Sequence, residues 1–154
     1  MRRVFHWSPY LLLVIVSAGC NSSSNVDAVL NTEDVTLPDG SQIHAEVKRS
    51  SSEKAQGMMY RDSLPRGQGM LFLNGHLERA AYWMANCKIP LDIIWLGERR
   101  QVVEISADTP PCPSGGRDCP PFGGHEAAQY VLELNGGEAK RHHVTVGSVL
   151  QFNL

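Results

Sequence analysis

The segment Leu91 to Leu96 reads LDIIWL, and it is apolar on both of its faces. In an extended strand Leu91, Ile93 and Trp95 point one way, while Asp92, Ile94 and Leu96 point the other. The carboxylate of Asp92 is therefore expected to lie at least partly in the interior, where it needs a partner. The wider stretch YWMANCKIPLDIIWL, from Tyr82 to Leu96, sets Asn86, Cys87, Lys88 and Pro90 among apolar neighbours. Such polar groups mark either a structural corner or the wall of a site.

The surrounding pattern is one of short strands. Ile43, Ala45 and Val47 alternate with His44, Glu46 and Lys48, which gives a half-buried strand with His44 facing solvent. Met70 to Leu73 and Ala80 to Ala85 read as strands. Leu91 to Leu96 and Gln101 to Ser106 form a hairpin across Gly97-Glu98-Arg99-Arg100. Tyr130, Leu132 and Leu134 alternate with Val131 and Glu133, and Ser148 to Asn153 closes the chain as a last strand. Ser50 followed by Glu53 is a capping box that opens a short helix through Ala55 to about Met58, ended near Gly57. A second short helix is expected from Glu138 to His143, and Thr109 to Gly124, rich in proline and glycine, is expected to be loop. These elements predict a mainly β, small single-domain fold, a sandwich or barrel-like arrangement with two short helices.

Residues 1–20 have the order of an export signal: Arg2 and Arg3, an apolar run from Leu11 to Val16, then Ser17-Ala18-Gly19-Cys20. This resembles a bacterial lipoprotein signal, which implies cleavage before Cys20 and lipidation of that cysteine. Residues 21–34 open with Asn21-Ser22-Ser23-Ser24-Asn25 and read as a flexible tether, leaving residues 35–154 as the domain. With asparagine rather than aspartate at position 21, the expected location is the outer membrane facing the periplasm, more than the inner membrane. Without Arg2 and Arg3 the chain has 12 basic against 16 acidic residues. It shows no basic patch, so nucleic acid is not an expected partner. An envelope small molecule or protein is, with the domain itself a monomer. In an oxidising compartment Cys112 and Cys119 are expected to form a disulfide across a turn-rich loop, which leaves Cys87 as a buried free thiol.

The blocks QGMMYRDSLPRGQGMLFLN, YWMANCKIPLDIIWL, QYVLELNGGEAK and VGSVLQF, in that order, resemble the signature of the domain of unknown function 192 family. The resemblance runs from about Val47 to Leu154. It falls on Gly57, Arg61, Gly69, Trp83, Met84, Asn86, Pro90, Asp92, Glu133 and Gly147, among others. It implies a compact, mainly β domain, often exported, with no established biochemical activity.

Two readings compete for the polar residues. In one, Arg61 holds Asp92 with two parallel bonds and Asn86 satisfies backbone groups near Pro90, making a structural clamp. In the other, Arg61, Trp83, Asn86 and Asp92 form a ligand-binding pocket with few polar groups on an apolar wall. A copper-binding or copper-handling module is a further alternative. Met58, Met70, Met84 and Cys87, with Met59 and His125, are soft ligands suited to monovalent copper, although the sequence has no Met-x-x-Met or His-x-His cluster. No other cofactor is expected. The sequence contains no Gly-x-Ser-x-Gly, phosphate-loop, His-Glu-x-x-His or Cys-x-x-Cys signature. An unrecognised enzyme would have to rely on Cys87 with His125 or His142. The reading that follows is a non-enzymatic module tethered to the envelope that binds a ligand or a partner.

Overall fold

The computed structural model describes Met1, residues 31–112, Gly116 and residues 118–154. The signal segment, Cys20 and most of the expected tether lie outside the described residues. Ten elements follow one another: β1 (Thr32–Thr36), β2 (Gln42–Lys48), α1 (Ser51–Gln56), β3 (Gln68–Glu78), β4 (Tyr82–Trp83), β5 (Leu91–Leu96), β6 (Val102–Thr109), β7 (Pro121–Phe122), β8 (Ala128–Asn135) and α2 (Glu138–Arg141). Six strands make one sheet in the order β1-β2-β3-β8-β5-β6, and β4 pairs with β7 in a small second sheet. The large sheet is antiparallel except at β2 and β3, which run parallel. A parallel pair needs a crossover, and here α1 lies within it. The fold is thus the mainly β single domain with two short helices that the pattern predicts, with an open sheet that does not close into a barrel.

All six residues of β5 are buried, as its two apolar faces require. Leu91, Ile93 and Trp95 join one core cluster with Met70, Phe72 and Val131, whereas Ile94 and Leu96 join another with Leu71, Leu132 and Leu134. The first cluster is covered by Met58, Leu64, Met84 and Cys87 from the connections around α1 and β4. The second is covered by Ala139, Val144, Leu150 and Phe152 from α2 and the C-terminal segment. Each large apolar side chain buried in this way stabilises the fold by about 1.5–3 kcal/mol. Trp95 also donates its indole N–H to Ala80 O at 3.0 Å, which removes the cost of burying that group. Over this ring passes Gly123, at φ 61°, where a Cβ atom would fall 2.3 Å from Trp95 Cη2. Only glycine fits there.

Local signals account for α1. Ser50 Oγ accepts from Glu53 N, and Glu53 Oε2 accepts from Ser50 N at 2.8 Å, while Gly57 caps the C-terminus. The Cys112–Cys119 disulfide is formed and Cys87 is free and buried. Elsewhere the extent of the elements differs from expectation. β1 starts at Thr32, inside the stretch assigned to the tether, because Val35 is needed to fill the core beside Ile43. Of Ala80 to Ala85 only Tyr82–Trp83 pairs as strand, with Pro121–Phe122 from the segment expected to be loop. Ser148 to Asn153 is no strand, since it makes only isolated bridges at Thr36–Gln151 and Gln101–Val149. α2 stops at Arg141, ahead of His143, whose φ is 56°. Among the described residues no helix is long and apolar enough to cross a membrane.

Candidate functional site

The expected clamp between Arg61 and Asp92 does not form. Asp92 is fully buried on the α2 side of the sheet. Its Oδ1 accepts from Asp108 N at 2.7 Å and Gly137 N at 3.0 Å, and its Oδ2 accepts from Ala139 N at 2.6 Å. Backbone donors at the start of α2 therefore occupy both oxygens, leaving no need for a cation. Arg61 instead donates to both oxygens of Glu46, at 2.6 and 2.8 Å, and Lys48 adds a third bond at 3.0 Å. The Arg61 hydrogen bonds hold the Glu46 carboxyl down to about 2 against its partial burial.

Asn86 is also placed differently from the expectation at Pro90. It sits in the left-handed region at φ 57°, donates its N–H to Cys112 O at 3.0 Å and accepts from Tyr60 N at 2.9 Å. It thus joins the disulfide loop to the connection after α1. The carbonyl of Pro90 accepts from Gly136 N.

Trp83 does line a pocket. It is 57% exposed and borders a cavity of about 230 Å³ between α1 and β4, together with Lys54, Met58, Phe72, Tyr82 and Cys87. Phe72 and Tyr82 meet edge to face at 5.3 Å. Asp92, Asn86 and Arg61 are not among the lining residues.

Two other polar side chains are. Glu133 reaches the pocket from β8, in the middle of the sheet between Met70 and Ile93, and is 5% exposed. Asn74 reaches it from β3 and is equally buried. Glu133 Oε2 and Asn74 Nδ2 are both buried without a hydrogen-bond partner. Asn74 is oriented by Lys54, whose ammonium donates to Asn74 Oδ1 at 3.4 Å and to Leu73 O at 3.3 Å. Desolvation pushes the Glu133 carboxyl up to about 8, with the Arg61 charge opposing it only in part. Burial and the neighbouring Glu133 charge in turn push the Cys87 thiol up to about 11, and burial also raises the Tyr82 phenol. A buried polar atom with no partner costs about 1–3 kcal/mol, so two in one pocket point to a group that meets them.

Met58, Met70, Met84 and Cys87 gather in the cluster beside this pocket. Among the described residues no group of three or more His, Cys, Asp or Glu side chains is arranged to hold a metal ion. His125 is exposed and pairs with Glu104 at 2.6 Å, and His142 lies between Asp39 and Glu138 at 2.8 and 3.1 Å. Neither histidine is paired with Cys87, whose thiol is held protonated.

This open, mainly β fold is shared with other proteins. The chain belongs to the DUF192 family, described as Uncharacterized ACR, whose sequence profile matches residues 34–152. A solved protein of unknown function from Novosphingobium aromaticivorans DSM 12444 is 36% identical with a TM-score of 0.69, the match covering 78% of this chain and 83% of that one. Another from Sinorhizobium meliloti 1021, provisionally described as a transcription regulator, is 30% identical with a TM-score of 0.69, over 79% of this chain and 93% of that one. No curated protein matches the chain.

Proposed function

We propose that this protein is an exported, lipid-tethered, non-enzymatic module that binds a small molecule in the pocket between α1 and β4. The observation that supports this most is the pair of unpartnered buried groups, Glu133 Oε2 and Asn74 Nδ2, in one cavity with aromatic walls. Sites for small ligands combine a mainly apolar lining with a few polar groups that fix orientation. The Cys20 signal supports the tether, and the Cys112–Cys119 pair suits an oxidising compartment. On this reading Trp83 belongs to the site, while Arg61, Asn86 and Asp92 frame the elements around it.

The second reading, a copper-handling module, draws support from Met58, Met70, Met84 and Cys87 sharing one buried cluster. The raised Cys87 thiol weighs against it, because a metal would have to displace a tightly held proton.

Native mass spectrometry of the full chain, exported to a bacterial envelope and purified in detergent without chelator, tests both. A mass excess that is lost on denaturation is expected, with the size of a small organic molecule. An excess of one copper ion would favour the second reading, and no excess in any preparation would count against both. The denatured mass is expected to show a chain starting at Cys20 with lipid attached and with two hydrogens fewer at Cys112 and Cys119. An unprocessed chain would reject the lipid tether.

A further inference from the structure

The geometry points to an organic cation as the pocket's ligand: a compact amine whose charge lies against the Glu133 carboxylate in the pocket that Phe72, Tyr82 and Trp83 line. This rests on the small-molecule reading above and adds the chemical class. A carboxyl group buried at the centre of a sheet is normally matched by a counter-ion or saturated by donors. Asp92 shows the second solution, with three backbone N–H bonds on its two oxygens. Glu133 Oε2 has no donor, and the one cationic charge acting on Glu133, that of Arg61, is bound to Glu46 and offsets its burial only in part.

The nearby cations are committed elsewhere. Arg61 is held by both oxygens of Glu46, Lys48 donates to the same carboxylate, and Lys54 points its ammonium at Leu73 O and Asn74 Oδ1. The ionisable groups facing the pocket are Lys54 from α1, Glu78 from β3, Tyr82 from β4, Cys87 from the following loop and Glu133 from β8. With Glu133 ionised, and with the phenol and thiol neutral, their charges sum to −1. An amine would therefore neutralise the pocket. Its walls add to this, since a cation near an aromatic face is attracted by the ring quadrupole, more strongly where water is excluded. The Asn74 Nδ2 donor is left for a hydroxyl or carbonyl oxygen elsewhere on the ligand. Size is a further restriction. An apolar cavity of about 150 Å³ takes up benzene, so the cavity of about 230 Å³ here holds one ring and a short aminoalkyl arm.

Benzylamine, benzyl alcohol and benzoate share a ring and differ in the group presented to Glu133, which makes them suitable probes. Their binding to the full chain in detergent can be followed by NMR of the Trp83 indole and the Met58 and Met59 methyl groups. At pH 8 benzylamine is expected to bind saturably and at least about tenfold more tightly than benzyl alcohol, with benzoate weakest. Because binding a cation requires the ionised carboxylate, benzylamine affinity is expected to rise by up to about tenfold per pH unit from pH 6 towards 8. Glu133→Gln is expected to abolish that rise and the preference over the alcohol.

If benzyl alcohol or benzoate saturates these signals as tightly as benzylamine, the cation inference fails while the small-molecule pocket stands. If Glu133→Gln keeps the preference for benzylamine, the cation inference again fails alone. If none of the three probes moves the Trp83 and Met58 signals, both fall. The comparison among probes uses the unaltered chain and so does not depend on any variant folding.

Discussion

Replacing Asp92 by alanine is expected to remove about 3–5 kcal/mol of folding stability, the largest loss from any single polar side chain here. The carboxylate is fully buried and accepts from Asp108 N, Gly137 N and Ala139 N. These bonds tie the end of β6 and the start of α2 to β5, the strand next to the β6 edge. Alanine would leave three N–H groups without this acceptor: Ala139 N is buried and bears the full cost of about 1–3 kcal/mol, whereas Asp108 N and Gly137 N, on exposed residues, can turn to water. Asp92→Asn keeps one acceptor oxygen but turns an amide towards backbone donors, so an intermediate loss is expected. Urea unfolding followed by tryptophan fluorescence measures both. A loss below about 1 kcal/mol for Asp92→Ala would show that these bonds do not hold the corner together.

Glu133 should act in the opposite sense and depend on pH. Its carboxyl is raised from 4.5 in the unfolded chain to about 8 in the folded protein. Between those values the unfolded chain has shed a proton that the folded protein retains. Folding is therefore progressively disfavoured as pH rises through this window, and the effect levels off above about 8. The slope approaches about 1.4 kcal/mol per pH unit, for a total on the order of 4 kcal/mol. Glu133→Gln has no such group, so at pH 8 it is expected to gain that amount over the unaltered chain relative to the difference at pH 4.5. Glu46 and Glu53, both held at about 2, lose their stabilising contribution only as pH falls below 4.5, outside this window. Contributions from groups common to the two chains cancel in the difference. Unfolding curves from pH 4.5 to 9 measure the difference, and parallel profiles would contradict a buried, uncompensated Glu133.

The sequence makes the local elements of this fold legible and leaves its long-range pairings hidden. Alternation identifies β2 and β8, an apolar run identifies β5, the capping box identifies α1, and the hairpin β5-β6 follows from its short connection. The short pairing of β4 with β7 is not visible, because it joins segments far apart and Pro121 argues locally against a strand.

The same limit shaped the view of the site. The two apolar faces of LDIIWL place Asp92 in the interior, where it lies, but its partners are backbone groups that no residue type announces. Arg61 pairs with Glu46 rather than Asp92, a partner hidden in the sequence because Glu46 reads as belonging to a wet strand face and meets Arg61 only through the β2-α1-β3 crossover. Glu133 is not legible in the sequence as a residue of the pocket. In AQYVLELN its alternation with Leu132 and Leu134 resembles a solvent face, and only the position of β8 between β3 and β5 buries it. The available signal was Val131, an apolar residue on the same face as Glu133. Trp83, which the sequence offers as part of an apolar pocket wall, lines the pocket.

The most direct test of the central claim is a carbon-13 NMR titration of the Glu133 side-chain carboxyl in the unliganded protein, assigned by its loss in Glu133→Gln. A midpoint near 8 is predicted for an acid held in the pocket without a counter-ion. A midpoint near the ordinary 4.5 would mean that Glu133 is already solvated or paired, and would remove the feature on which the proposed site rests.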